Sequence, residues 1–157
     1  MIVGVGFDLE DIADFGRTMD QSGEPFLNRV YTAREIKYCQ SQPHAPQSYT
    51  VRYCAKEAAM KALGIAGAEG LRWKDVEVVS TSGAPHLRLT GVAAAAAKRL
   101  GVEKLLVSLS HARSVAGAIV IAEGETPASG SRRVPAKGFG NTKPGERGRV
   151  KKKQGRS

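Results

Sequence analysis

Arg52-Tyr53-Cys54-Ala55-Lys56-Glu57-Ala58-Ala59-Met60-Lys61-Ala62-Leu63-Gly64 combines the strongest helix signal in the chain with its densest group of reactive side chains. Ala, Met, Lys, Glu and Leu favour the helix, and Gly64 stands where a C-cap needs a residue that tolerates positive φ. At about 100° per residue, Glu57 and Lys61 lie one turn apart on one face, with Arg52 and Lys56 on a neighbouring face. Cys54, Ala55, Ala58, Ala59 and Ala62 fill much of the remainder, and such small residues let another backbone come close. A charged pair beside such a face is either a surface salt bridge or one wall of a site, and the helix alone leaves both readings open.

The rest of the chain bounds the choice. A length of 157 residues suits one domain, and the net charge of +9 is unevenly spread. Residues 1–123 carry 14 Lys+Arg against 13 Asp+Glu, whereas residues 124–157 carry 10 against 2. The expected organisation is a near-neutral folded domain, 1–123, and a basic tail, 124–157. Gly, Pro, Ser, Lys and Arg dominate the tail, and its sizeable apolar residues are Val134, Phe139 and Val150, so its composition predicts disorder. Lys151-Lys152-Lys153 would attract RNA, DNA or an acidic protein by counterion release, or simply stay solvated. Cys39 and Cys54 have neither CxxC spacing nor a His/Cys cluster, which argues against zinc and redox chemistry. No run approaches the roughly 20 apolar residues of a membrane span and the first residues do not resemble a leader, so the expectation is a soluble, cytoplasmic protein.

Ile2-Val3-Gly4-Val5-Gly6-Phe7 alternates branched residues with glycine, the pattern of a short strand lying close to another backbone. Leu9, Ile12, Phe15 and Met19 then recur at helical spacing, which puts Asp8 at the junction, either as an N-cap or as an outward-pointing metal ligand. Glu24 to Tyr31 reads as a short helix or turn, and Thr32-Ala33-Arg34-Glu35 as a capping box opening a helix to about Gln40. A loop holding an exposed His44 leads into the central helix at about Gln47. Residues 75–79 and 86–89 alternate around Thr81-Ser82-Gly83-Ala84-Pro85 as a hairpin. Thr90 then caps a helix through Ala93–Ala97, and residues 104–111 and 115–122 make two more strands. Ser110 and His111 adjoin in a strand and face opposite sides, which argues against a Ser-His nucleophile pair. The order β-α-α-α-β-β-α-β-β predicts an α+β domain with a largely antiparallel sheet and one long central helix.

Gly4-Val5-Gly6-Phe7-Asp8, Lys56-Glu57-Ala58-Ala59-Met60-Lys61-Ala62-Leu63-Gly64 and Ser108-Leu109-Ser110-His111, in this order, closely resemble the holo-acyl-carrier-protein synthase family of small phosphopantetheinyl transferases. The likeness runs from Met1 to about Glu123. It implies the 4′-phosphopantetheinyl transferase-like fold and transfer of the 4′-phosphopantetheine arm from coenzyme A to a serine of an acyl carrier protein in fatty acid biosynthesis. It further implies Mg²⁺ as cofactor on Asp8 and Glu57, with Glu57, Lys61 and Asp8 as the catalytic group. Lys61, Arg52, Pro85 and His111 are expected to hold coenzyme A. Read from the helix and strand alone, Arg52 is a surface charge and His111 a strand-end hydrogen bond.

Family members are typically homotrimers with coenzyme A between neighbouring subunits. The acidic carrier protein is usually met by basic residues of the first helix, and here the chain departs from the pattern. Asp14 stands six residues after Asp8 where the family usually has Arg, leaving Arg17 and Arg29 as the expected partner-binding cations. The competing reading is a nucleic-acid or acidic-protein binding module acting through the tail, with a non-catalytic coenzyme A-binding core. A near-neutral core without interleaved aromatic and basic residues argues against it.

Overall fold

The structure is a computed structural model that describes residues 1–80 and 83–125. Thr81, Ser82 and the basic tail from residue 126, including its expected disorder, lie outside the described residues. The elements are β1 (Ile2–Asp11), α1 (Ile12–Val30), α2 (Ala33–Gln40), α3 (Ala45–Ala62), a 3-10 turn (Trp73–Asp75), β2 (Val76–Val79), β3 (His86–Leu89), α4 (Gly91–Arg99), β4 (Val102–Ala112) and β5 (Val115–Gly124). The order agrees with the sequence reading and adds the 3-10 turn. The strands form two antiparallel sheets, β1-β5-β4 and β2-β3, rather than one.

The helix α3 is buried on all sides from Tyr49 to Met60, so the other elements wrap around it. Glycine lets β1 press against it. A Cβ on Gly6 would overlap the Ala58 carbonyl oxygen, and one on Gly4 the Ala62 carbonyl oxygen. Ala58, Ala59 and Ala62 face Ala118 and Val120 of β5 in one core cluster. On another side of α3, Phe15, Phe26, Tyr31, Tyr49 and Tyr53 form an aromatic cluster, with Trp73 stacked on Tyr53 at 4.8 Å between centroids.

Three local expectations change. The strand β1 does not stop at Phe7; Asp8 to Asp11 remain paired with Ala118 to Val115 of β5. The N-cap of α1 is therefore Asp11, which accepts from the Asp14 N–H at 2.9 Å, and Asp8 sits in mid-strand. Leu9, which shares the helical spacing of Ile12 and Phe15, in fact lies on the open face of the sheet, 55% exposed. Second, the expected short helix from Glu24 is present but follows its predecessor with no intervening loop, so that α1 is two helices meeting at Gly23, whose backbone (φ 60°, ψ −157°) is non-helical, just ahead of Pro25. Third, Thr90 occupies the N-cap of α4 without a side-chain bond. Asp75 caps that helix instead, accepting from the Val92 N–H at 3.3 Å. The α2 capping box is present as expected, and His44 is the exposed N-cap residue of α3. That helix begins two residues before Gln47.

Candidate active site

Period-two alternation along β1 puts Gly4, Gly6, Asp8 and Glu10 on the face turned to α3. The glycines bring the backbones together, and the next two side chains on that face are carboxylates. Lys61 reaches across from the last turn of α3, its Nζ donating to Asp8 Oδ1 at 2.7 Å and to the Phe7 carbonyl at 3.1 Å. Both of these bonds run from α3 to β1. Glu57 is buried, 5% exposed, and its charge acts on Glu10 together with that of Asp8. Burial first, and then Asp8 and Glu57, push the Glu10 carboxyl up to about 7, with Lys61 opposing. Glu10 is the group that sequence reasoning missed. Its signal was available in the two-residue spacing from Asp8, once β1 is known to continue that far.

A cavity of about 460 Å³ opens beside the earlier turns of α3 and is lined by Arg52, Pro85 and His111 among others. The three expected nucleotide-end residues thus meet, although they come from a helix, the hairpin turn and β4. The buried Arg52 donates to Ser80 Oγ at 2.7 Å and lies 3.9 Å from the centroid of the Tyr38 ring. Stacking on Tyr38 and the bond to Ser80 hold the guanidinium at the cavity wall instead of the helix surface. Arg52 precedes Glu57 by five residues, or about 7.5 Å along the helix axis. One rigid helix therefore carries members of both groups.

Arg17 and Arg29 are not part of either group. Arg17 is on the surface, held by Asp14 in an exposed ion pair, and Arg29 is exposed with its guanidinium 5.7 Å from the Phe26 ring centroid. Cys39 and Cys54 are buried free thiols; burial pushes Cys39 up to about 12 and Cys54 higher still, so both are inert. Among the described residues no group of three or more His, Cys, Asp or Glu is arranged to hold a metal ion, and no helix is long and apolar enough to cross a membrane.

Residues 4–120 match the 4′-phosphopantetheinyl transferase superfamily, and the holo-[acyl-carrier-protein] synthase of Anaeromyxobacter sp. (strain K) is 44% identical over 130 residues, 81% of this chain and 100% of that relative. The chain belongs to the holo-[acyl-carrier-protein] synthase family. The acyl carrier protein synthase of Mycobacterium tuberculosis superposes with a TM-score of 0.60 at 34% identity, covering 80% of this chain and 100% of that one. A holo-(acyl-carrier-protein) synthase from Bacillus anthracis str. Ames, solved in complex with CoA (3′,5′-ADP), superposes with a TM-score of 0.65 at 25% identity, covering 80% and 99%. The family match, residues 4–120, spans every element from β1 to β5. It makes the chain a phosphopantetheinyl transferase with the α+β architecture of those structures.

Proposed function

We propose that the Asp8, Glu57 and Lys61 group and the Arg52 cavity act as one site that moves the 4′-phosphopantetheine arm of coenzyme A onto a serine of apo acyl carrier protein. The products are the holo carrier and 3′,5′-ADP, and the step belongs to fatty acid biosynthesis. One observation carries this assignment of residues: α3 joins a two-carboxylate, one-lysine group to a guanidinium-lined cavity within a few turns.

Attack of the serine Oγ on the β-phosphorus forms one P–O bond and breaks the bond to 3′,5′-ADP. The reaction needs alignment and charge neutralisation more than covalent help. Asp8 and Glu57 are the residues that would hold Mg²⁺. Two carboxylates without an all-protein cage is the donor set that Mg²⁺ favours, and the raised pKa of Glu10 reports local negative charge that a cation would relieve. Bound there, Mg²⁺ supplies neutralisation of the diphosphate. Glu57 takes the serine proton, with Asp8 the second choice. Lys61, whose side chain is 29% exposed, turns from Asp8 toward the transferring phosphoryl group or the departing nucleotide. Arg52 and His111 hold the 3′-phosphate end of coenzyme A, and Pro85 lines the adenine side.

The open face of the β1-β5-β4 sheet supports the homotrimer. Val5, Phe7 and Leu9 are each more than half exposed and adjoin the exposed Ile119 and Leu106, a contiguous apolar surface of the kind that copies of a chain cover. The carrier protein docks near Arg29 and Arg17, in the cytoplasm. The tail, net +8 from residue 124, adds long-range attraction that fades with salt. A chain ending at Glu123 that associates with carrier protein at an unchanged rate in low salt would remove the tail from this role.

The decisive experiment is the intact mass of an apo acyl carrier protein after incubation with the enzyme, coenzyme A and Mg²⁺. The expected result is a gain of one phosphopantetheine, absent without metal and absent with Asp8→Ala. Full modification by Asp8→Ala would overturn the metal assignment.

A further inference from the structure

Lys56 is the charged residue of the Lys56-Glu57-Ala58-Ala59-Met60-Lys61 run that the transfer chemistry above does not use. It is fully buried, and its ammonium has three N–H donors. All three have acceptors: Glu35 Oε2 at 2.9 Å, the Trp73 carbonyl at 3.3 Å and the Val76 carbonyl. The acceptors come from α2, from the 3-10 turn and from β2. Glu35 is itself pinned, its Oε2 accepting from the Thr32 N–H at 2.8 Å and its Oε1 from the Val78 N–H at 2.9 Å.

We propose that Lys56 is a positioning residue for the transfer reaction, clamping α3 in rotation and along its axis so that the neighbouring Glu57 carboxylate stands correctly against Asp8. The inference rests on the assignment of Asp8 and Glu57 made above. Where α3 meets β1 and β5, the contact is made of Ala58, Ala59, Ala62, Gly4, Gly6, Ala118 and Val120, a smooth surface with few interlocking side chains. Ridges of small residues let backbones approach closely but resist turning or sliding weakly. The restraint comes from the Lys56 side of the helix. Three acceptors in different directions fix the ammonium as a point, and about 100° of helix rotation separates that point from Glu57. Burying an ion pair is an inefficient way to gain stability, since apolar replacements of equal volume often do as well. Directional bonds to three elements provide what apolar packing lacks, a single orientation.

The test uses full-length Lys56→Arg and the double variant Lys56→Met with Glu35→Gln, the latter removing both charges while leaving an acceptor for the Val78 N–H. Melting temperature, kcat, KM for coenzyme A and for carrier protein, and Mg²⁺ affinity by calorimetry are measured, with Glu57→Gln alongside. Misplacing a catalytic group by about 1 Å costs about 10²-fold in rate, and disturbing the groups behind a metal ligand costs about 10-fold or more in metal affinity. The expected result for the folded variants is therefore a kcat lowered by about 10²-fold, Mg²⁺ bound about 10-fold more weakly, and both KM values within about 3-fold of the parent. Variants with a lowered melting temperature but the parent's kcat and Mg²⁺ affinity would overturn the inference and leave Lys56 a stability element. If the double variant does not fold, Lys56→Arg decides alone, because it keeps the charge and misplaces the donors; parental kcat and Mg²⁺ affinity there overturn the proposal. An active Glu57→Gln would instead sink the assignment of Glu57 on which the inference depends.

Discussion

Five residues apart on α3, Lys56 and Lys61 each bind a carboxylate from another element, and the two pairs behave in opposite ways. Lys56 and Glu35 meet at 2.9 Å with neither side chain exposed, whereas Lys61 and Asp8 meet at 2.7 Å with the lysine 29% and the aspartate 11% exposed. Burial, opposed only in part by Glu35, pulls the Lys56 pKa down, and the pair is a closed unit in which every ammonium donor has an acceptor. Lys61 lies at an edge that water and an anionic ligand can reach, where exchange of partners is cheap. The same chemical pair is a fixture in one place and a displaceable latch in the other, and the difference lies in solvent access.

The comparison can be broken at several points. Glu57→Gln should have the largest effect on catalysis, a loss of kcat of about 10³-fold, measured as carrier-protein modification under single turnover. Lys56→Ala leaves Glu35 charged and unpaired in the core, and should lower the unfolding free energy by about 3–5 kcal/mol in denaturant titrations. Lys61→Ala is its counterpart: kcat falls by about 10²-fold while the unfolding free energy changes by less than about 1 kcal/mol. Equal losses of stability in the two alanine variants would erase the distinction between fixture and latch.

The smallest effect sharpens the electrostatics of the site. The Glu10 carboxyl rises from 4.5 to about 7, so the folded protein keeps a proton that the unfolded chain has released. Its favourable contribution is complete below about pH 4.5 and is lost as pH rises through about 7. In metal-free buffer Glu10→Gln should therefore melt like the parent near pH 4.5 and be more stable at pH 8 by about 1 kcal/mol, a figure discounted for partial exposure. Saturating Mg²⁺ should cancel the difference.

Local rules were enough to read much of this from the chain. The Gly64 cap, the Thr32–Glu35 box and the close approach at Gly4 and Gly6 depend on one residue's conformational range or on a short spacing. The family resemblance supplied Asp8, Glu57 and Lys61, which the fold brings to one edge of α3. What was not legible depended on distant partners. Pairing with β5 draws β1 past Asp8, overriding the helical spacing of Leu9, and so hides Glu10 as a site residue. Glu35 reads as a capping residue because that role is local, yet its second role, binding Lys56 and the Val78 N–H, spans 21 and 43 positions. Arg52 reads as a surface charge until Tyr38 and Ser80 are folded against it.

At Gly4 and Gly6 only hydrogens stand between β1 and the Ala62 and Ala58 carbonyls of α3. Asp8 lies two positions beyond one glycine contact, and Glu57 one position before the alanine it touches. The closeness of strand and helix beside these carboxylates is thus set by missing methyl groups. Gly6→Ala would therefore force β1 away from α3 and carry Asp8 with it.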